Sequence, residues 1–191
     1  MPLRGKGMLV VYSEVKSLHE RDFNEWYNRE HVDERLGMPG FQRARRWVAV
    51  KGSPKYLATY ECDTVGDLAT PGYLALLANQ TPWTQAVMAR FTQFHRLALR
   101  VQVDLAHGVG GAVAAVRFVP DPRERKALAA WLQETALPKA IARPGLVGAV
   151  EPRKVDPLVN VLAIVPLVEI ALVARLHLVE DDQHSLAVKR H

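Results

Sequence analysis

Cysteine is almost missing: Cys62 stands alone. No internal disulfide can form, which agrees with a reducing compartment. Its expected role is a small buried residue at a strand end rather than a nucleophile. Long apolar runs are also missing. No stretch reaches the roughly 18–20 residues that a membrane helix needs. The segment from Leu158 comes nearest, but Asn160, Pro166 and Glu169 interrupt it and β-branched residues dominate, so it reads as strands. The opening residues, Met1 to Gly7, hold no apolar core of leader length, and a cytoplasmic location is expected. The net charge of +5 is spread out, without the Gly-aromatic signature of a base-stacking RNA-binding sheet. Nucleic acid is therefore not an expected partner. Metal-ligand spacing, a phosphate-binding glycine loop and a Ser-His-Asp context are lacking as well. Gly108-Val109-Gly110-Gly111 precedes a strand instead of following one, and reads as a linker.

What is present is a packed-core composition, 49% hydrophobic and 24% charged over 191 residues. That length accommodates two modules of about 90–100 residues. Met8 to Glu14 reads as a buried strand. Ser17 and Glu20 fit a capping box, opening a helix with Phe23, Trp26, Tyr27 and His31 along one stripe. Gly37, Pro39 and Gly40 stop it. Phe41 to Val50 and Tyr56 to Cys62 follow as strands, then a broken helical region to Arg90 with Pro71 and Pro82 in first turns, then a strand from Phe91 to Val103. Plain alternation puts Phe91, Gln93, His95, Leu97, Leu99 and Val101 on one face. Strand, helix, strand, strand, helix, strand is the split βαβ pattern of a ferredoxin-like module.

After the glycines the pattern restarts. Moving 105 positions along takes Trp26 to Trp131, Phe23 to Leu128, Leu36 to Ile141, Pro39-Gly40 to Pro144-Gly145, Leu57-Ala58 to Leu162-Ala163 and Met8 to Val113. One offset over helix, turn and strands indicates duplication. The expected division is 1–105, a linker 106–111, and a degenerate second repeat 112–191. Trp26 reads as a core anchor because Trp131 keeps its place. The polar residues do not persist: Tyr27 becomes Leu132, His31 becomes Ala136, Arg35 becomes Ala140, Arg43 becomes Gly148, Arg45 becomes Val150 and Tyr60 becomes Val165. The second copy shows no obvious long second helix, and Gln183 to His191 reads as a frayed tail.

The run Phe23-Asn24-Glu25-Trp26-Tyr27-Asn28-Arg29-Glu30-His31, with Leu36-Gly37-Met38-Pro39-Gly40-Phe41 after it, resembles the dimeric α+β barrel superfamily, and within it the EthD-like group. The resemblance covers the first hundred residues well and the rest only as a repeat of the fold. It implies an α+β fold, two ferredoxin-like repeats arranged as in a dimeric α+β barrel, with a ligand between sheet and helices. A homodimer is consistent with it. Members include lactone isomerases, polyketide cyclases and dehydratases, cofactor-independent monooxygenases and haem enzymes, so the fold does not select a reaction.

His31 is the first candidate for chemistry, as an acid or base near neutral pH; the alternative is a helix-end histidine meeting carbonyl groups. Tyr27, one turn earlier, could donate to a developing enolate oxygen, or simply pack on the sheet. Arg43 and Arg45 share one face of their strand, Arg46 taking the other, and could hold a carboxylate or guard a solvated edge. Tyr56 and Tyr60 share a face and are expected to line the pocket, with Trp83 as a wall. His95 is the histidine that would serve if the haem branch applied. The leading expectation is a cofactor-free isomerase, lyase or cyclase on a small hydrophobic or aromatic acid, lactone or polyketide-like compound. A non-catalytic binding or sensing module and a haem protein are the alternatives.

Overall fold

In the computed structural model, which describes residues 3–108, 110–118, 120–154, 161–165 and 176–178, the first strand β1 (Gly7–Val15) is buried on both faces. Leu9, Val11 and Val15 join a core under the helices, and Met8 and Val10 join a second core behind the sheet. A strand with two apolar faces must have a layer on each.

Residues 17–36 form one helix, α1, of changing pitch: a 3₁₀ turn Ser17–His19, an α segment Glu20–Trp26, a π turn Tyr27–His31 and a last α segment Val32–Leu36. The expected capping box does not form. Lys16 takes the N-cap position without a side-chain bond, and the Glu20 carboxylate is drawn away to Lys55 Nζ at 2.5 Å. Strands β2 (Phe41–Ala49) and β3 (Tyr56–Cys62) follow, then a 3₁₀ turn Val65–Ala69 and two short helices, α2 (Pro71–Ala78) and α3 (Pro82–Met88). Thr70 and Thr81 cap these helices, each with proline in the first turn, where the lost N–H has no helical partner anyway. Strand β4 (Phe91–Asp104) completes the first unit. The second contains β5 (Ala112–Phe118), helix α4 over residues 125–141, and strands β6 (Val150–Lys154), β7 (Val161–Val165) and β8 (Leu176–Leu178). The sequence readings for the second helix of this half and for the tail fall outside the described residues.

The strands close into a barrel in the order β1-β3-β2-β8-β5-β7-β6-β4, with β4 returning to β1. The first four stand as β4-β1-β3-β2 and the last four as β8-β5-β7-β6, which is the same order. The fold is α+β: two ferredoxin-like units joined edge to edge, each covering the other's open strands. The two seams are β2 with β8 and β4 with β6, both antiparallel.

Two expectations about faces are corrected. The register against β1 shifts, so that Val15 meets Phe91 while Glu14 meets Gln93. This bulge turns Phe91 to the helix-side core, whereas Leu97, Leu99 and Val101 point into the barrel. Trp131 is not a second core anchor: it is 53% exposed against 1% for Trp26. The difference lies in the cover. Helix α3 lies over Trp26, whose indole N–H donates to Thr84 Oγ1 at 2.9 Å, and among the described residues nothing equivalent stands over Trp131.

Candidate functional site

Alternation divides the candidate residues between the two faces of one sheet. From β3, Tyr56, Ala58, Tyr60 and Cys62 face the helices, while Leu57, Thr59 and Glu61 face the barrel interior. On β2 a bulge sets Phe41 opposite Cys62 and Arg43 opposite Glu61. Phe41 stays under the helices, and Arg43, Arg45 and Trp47 turn inward. Arg46 faces α1. His31, Tyr27, Tyr56 and Tyr60 are therefore brought into one layer, and Arg43 and Arg45 are placed behind the sheet from them.

In the helix-side layer, Tyr27, His31 and Arg35 follow one another at four-residue spacing on α1, and all three are buried. The His31 ring lies 4.1 Å from that of Trp26, 5.0 Å edge-on to Tyr27 and 6.4 Å from Tyr60. Arg46 reaches up from β2. It donates to the amide oxygens of Asn24 and Asn28, both at 2.7 Å, and stacks 4.0 Å over the Tyr27 ring. Tyr56 sits towards the far end of the layer against Phe23, ring to ring at 4.6 Å. Trp83 ties α3 to α1 through its indole N–H on Asp22 Oδ1 at 3.1 Å, and closes the layer from outside.

Burial sets the charge states here. It holds the His31 imidazole well below its ordinary pKa, and the positive charges of Arg35 and Arg46 act in the same direction. Burial pushes the Tyr60 phenol well above its ordinary value, with Tyr27 adding to the rise and the two arginines opposing it. Tyr27 is raised by burial too, against Arg46, Arg35 and the nearby hydroxyls of Tyr60 and Ser13. At neutral pH the layer holds a neutral imidazole, two protonated phenols and two guanidinium groups. Cys62 is pushed up to about 12 by burial and is no nucleophile.

Three of these buried atoms, His31 Nδ1, Tyr60 Oη and Arg35 Nη1, make no protein hydrogen bond of good geometry, although the Tyr27 hydroxyl stands close enough to Tyr60 Oη for the two phenols to interact. Arg35 Nη1 has Glu34 Oε2 at 3.6 Å, an ion pair too long for a hydrogen bond. Buried polar atoms are ordinarily satisfied, and each one left over costs about 1–3 kcal/mol. Three in one layer are concentrated where an acceptor, a donor and a cation would meet a polar molecule.

Behind the sheet, Arg43 is spoken for. Its Nε and Nη2 hold both Glu61 oxygens at 2.7 and 2.6 Å, and the Arg4 backbone N–H donates to Glu61 Oε2 at 2.7 Å. Arg43 and Glu61, together with Arg45, Trp47 and Thr59, line a pocket of about 570 Å³ when its open mouth is counted. Ala106, Gly108 and Gly110, expected only as linker, form part of its wall. His107 and Gly108 donate backbone hydrogen bonds to the Val147 carbonyl at 2.9 Å, and a Cβ on Gly108 would stand 2.9 Å from that of Val147.

Sequence reading missed Arg35, Arg46, Ser13, Trp47, Thr59 and Glu61 as site residues. For Arg35 a signal existed: it continues the four-residue spacing of Tyr27 and His31. The others became visible only with the strand register.

The backbone is similar to that of a protein from Fusobacterium nucleatum subsp. nucleatum provisionally assigned as a monooxygenase, at 11% identity and TM-score 0.57, covering 93% of this chain and 94% of that one. An anthrone oxidase-like protein matches with TM-score 0.61 at 12% identity, over 83% of this chain and 71% of that one. A provisionally assigned chlorite dismutase matches with TM-score 0.58 at 10% identity, over 93% and 96%. The chain has the dimeric α+β barrel fold. No family model matches the chain, and no curated protein matches it in sequence. At these identities the likeness concerns the barrel, and the α+β barrel is common ground for several chemistries. Among the described residues of this barrel, no helix is long and apolar enough to cross a membrane, and no cluster of His, Cys, Asp and Glu could hold a metal ion.

Proposed function

We propose that this barrel is an enzyme that moves a proton on a small hydrophobic or aromatic compound with an acidic C–H beside a carbonyl, bound between α1 and the sheet. The observation that carries this reading is the joint burial of His31 Nδ1, Tyr60 Oη and Arg35 Nη1 without a well-formed protein hydrogen bond, Tyr60 having the Tyr27 hydroxyl beside it and Arg35 the 3.6 Å ion pair with Glu34. Neutral His31 takes the C–H proton at Nδ1, and the electron pair of that bond moves onto the carbonyl oxygen as an enolate. Tyr60 or Tyr27 donates a hydrogen bond to that oxygen, and Arg35 offsets its charge. Returning the proton elsewhere completes an isomerisation; ring closure, elimination or attack by oxygen consumes the same enolate. The anthrone oxidase-like neighbour supports an aromatic ketone as the substrate class, anthrone being one that enolises readily.

The π turn Tyr27–His31 does not by itself argue for catalysis, although such turns recur at functional sites. An equivalent π turn, Leu132–Ala136, stands 105 residues on with leucine and alanine in the places of Tyr27 and His31. The turn belongs to the fold, and the polar set is the special feature. Together with the repeated strand order, and Gly40 and Gly145 at φ +87° and +84°, it supports reading the two halves, with their division near residues 106–111, as a tandem duplication. The EthD-like affinity rests on the α1 motif. A homodimer is not needed to cover the sheet edges, since the chain covers them itself.

Haem does not fit the described donors. The pocket lining offers no imidazole, thiol or phenol. His31 is packed under Trp26, and His95 stands exposed, across from Tyr12 on β1.

The test is solvent-deuterium exchange into anthrone, without oxygen, followed by proton NMR. The intact protein is expected to accelerate loss of the methylene signal, and His31→Ala to lower that acceleration at least a hundredfold, a usual range for general-base catalysis. Equal rates in the two proteins, or no acceleration over buffer, would remove the proposal.

A further inference from the structure

The pocket behind the sheet is built from positions paired at the 105-residue offset. Leu3 and Gly108, Met8 and Val113, Arg43 and Gly148, and Arg45 and Val150 all line it. The pairs place like positions of the two halves around one opening, but their chemistry is lopsided. One side carries two arginines, and the other carries glycine and valine in their place.

The charges on the polar side do not cancel evenly. Arg43 and Glu61 neutralise each other in a two-pronged pair. Asp104 nearby spends its oxygens on the backbone N–H groups of Leu3 and Ala106, at 2.9 and 3.0 Å. Arg45 is half-buried and among the described residues makes no hydrogen bond and no close ion pair; its charged neighbours are Arg43 and Arg4, which repel it, and Glu61, which attracts it but is already bonded to Arg43. Beside it lies Trp47, 5% exposed, whose indole N–H has no protein partner. Glu61 is thus shared between Arg43, which it bonds, and Arg45, so the polar side keeps an excess of positive charge beside one buried neutral donor, and Leu3, Met8, Val113 and Val150 give the pocket apolar walls.

We infer that this pocket is a second ligand site, separate from the His31 layer, for a monocarboxylate with an apolar body. The carboxylate pairs with the Arg45 guanidinium, whose planar fork matches it, and accepts a hydrogen bond from Trp47 Nε1. The apolar body lies toward Val113, Gly148 and Val150, in the space that a second pair of arginines would fill. A dianion such as phosphate is disfavoured, because Glu61 is close and the one guanidinium without a hydrogen-bonded carboxylate cannot balance two charges.

The inference is independent of the proton-transfer reading, and calorimetry with benzoate tests it. Benzoate is expected to bind saturably, at least tenfold more tightly than benzamide and than inorganic phosphate. Arg45→Gln is expected to weaken binding at least tenfold. Val150→Phe, which fills the opposite wall and leaves Arg45 in place, should do the same, so the result does not depend on one variant folding. His31→Ala should leave benzoate affinity within twofold. Binding should also change tryptophan fluorescence in the intact chain and not in Trp47→Phe. Failure of benzoate to bind, equal binding of benzamide or phosphate, or unchanged affinity in Arg45→Gln and Val150→Phe would overturn the inference. So would loss of benzoate binding in His31→Ala, which would merge the two sites.

Discussion

A histidine kept neutral by its surroundings leaves a mark on stability. His31 has a folded pKa well below its ordinary value. As pH falls below about 6.5, the unfolded chain takes up a proton that the folded chain refuses. Folded stability contributed by neutral burial is therefore complete above that pH and is lost as pH drops toward the folded pKa. Urea unfolding at pH 7.5 and pH 5 is expected to show the intact protein losing stability at the lower pH, and His31→Gln losing less. Arg46 offers a second residue test. It is buried, bonded to two asparagine oxygens and stacked on Tyr27. Arg46→Ala should lower unfolding free energy by about 2–4 kcal/mol, the usual cost of opening a buried charged hydrogen-bond cluster. Glu61→Gln should cost about 3 kcal/mol by breaking the pair with Arg43, and should also tighten benzoate binding because a second guanidinium is released into the pocket. Weaker benzoate binding in a folded Glu61→Gln protein would contradict that charge arrangement.

Elements were legible where the chain's own periodicity decides them. Tyr56–Cys62 is the strand that alternation marks, and Pro71 and Pro82 open helices as their missing N–H allows. Features that depend on a partner segment were not. The Ser17–Glu20 capping box lost its carboxylate to Lys55, 35 residues away. The bulges that turn Phe91 and Arg43 are set by the facing strands. His31, Tyr27 and Tyr60 stand out in the sequence because they are polar or aromatic at regular spacing. That Arg43 and Arg45 stand behind the sheet from them follows only from which face meets α1. Two substitutions probe the joints between elements. Gly40 has φ +87°, and a Cβ there would lie 2.4 Å from Asp67 Cγ. Gly40→Ala should cost more than about 1 kcal/mol. Thr81 caps α3 and also donates to Glu30 Oε1 at 2.5 Å. Thr81→Ala should cost about 1–2 kcal/mol and loosen α3 from α1, read as faster amide exchange in Thr84 and Gln85.

For the whole molecule, closure of the barrel within one chain gives each sheet face a separate environment. The helix-side face buries the neutral His31 imidazole, and the inner face sets Arg45, without a close ion pair, at an open pocket. Long-range ¹⁵N NMR of the histidine side chains reads both consequences at once. The His31 nitrogens should stay in the neutral imidazole pattern at pH 6, where an ordinary histidine is largely protonated. They should shift on adding anthrone and stay fixed on adding benzoate. An imidazole that titrates at the ordinary value, or that ignores anthrone and answers to benzoate, would contradict the placement of the chemistry in the layer beneath α1.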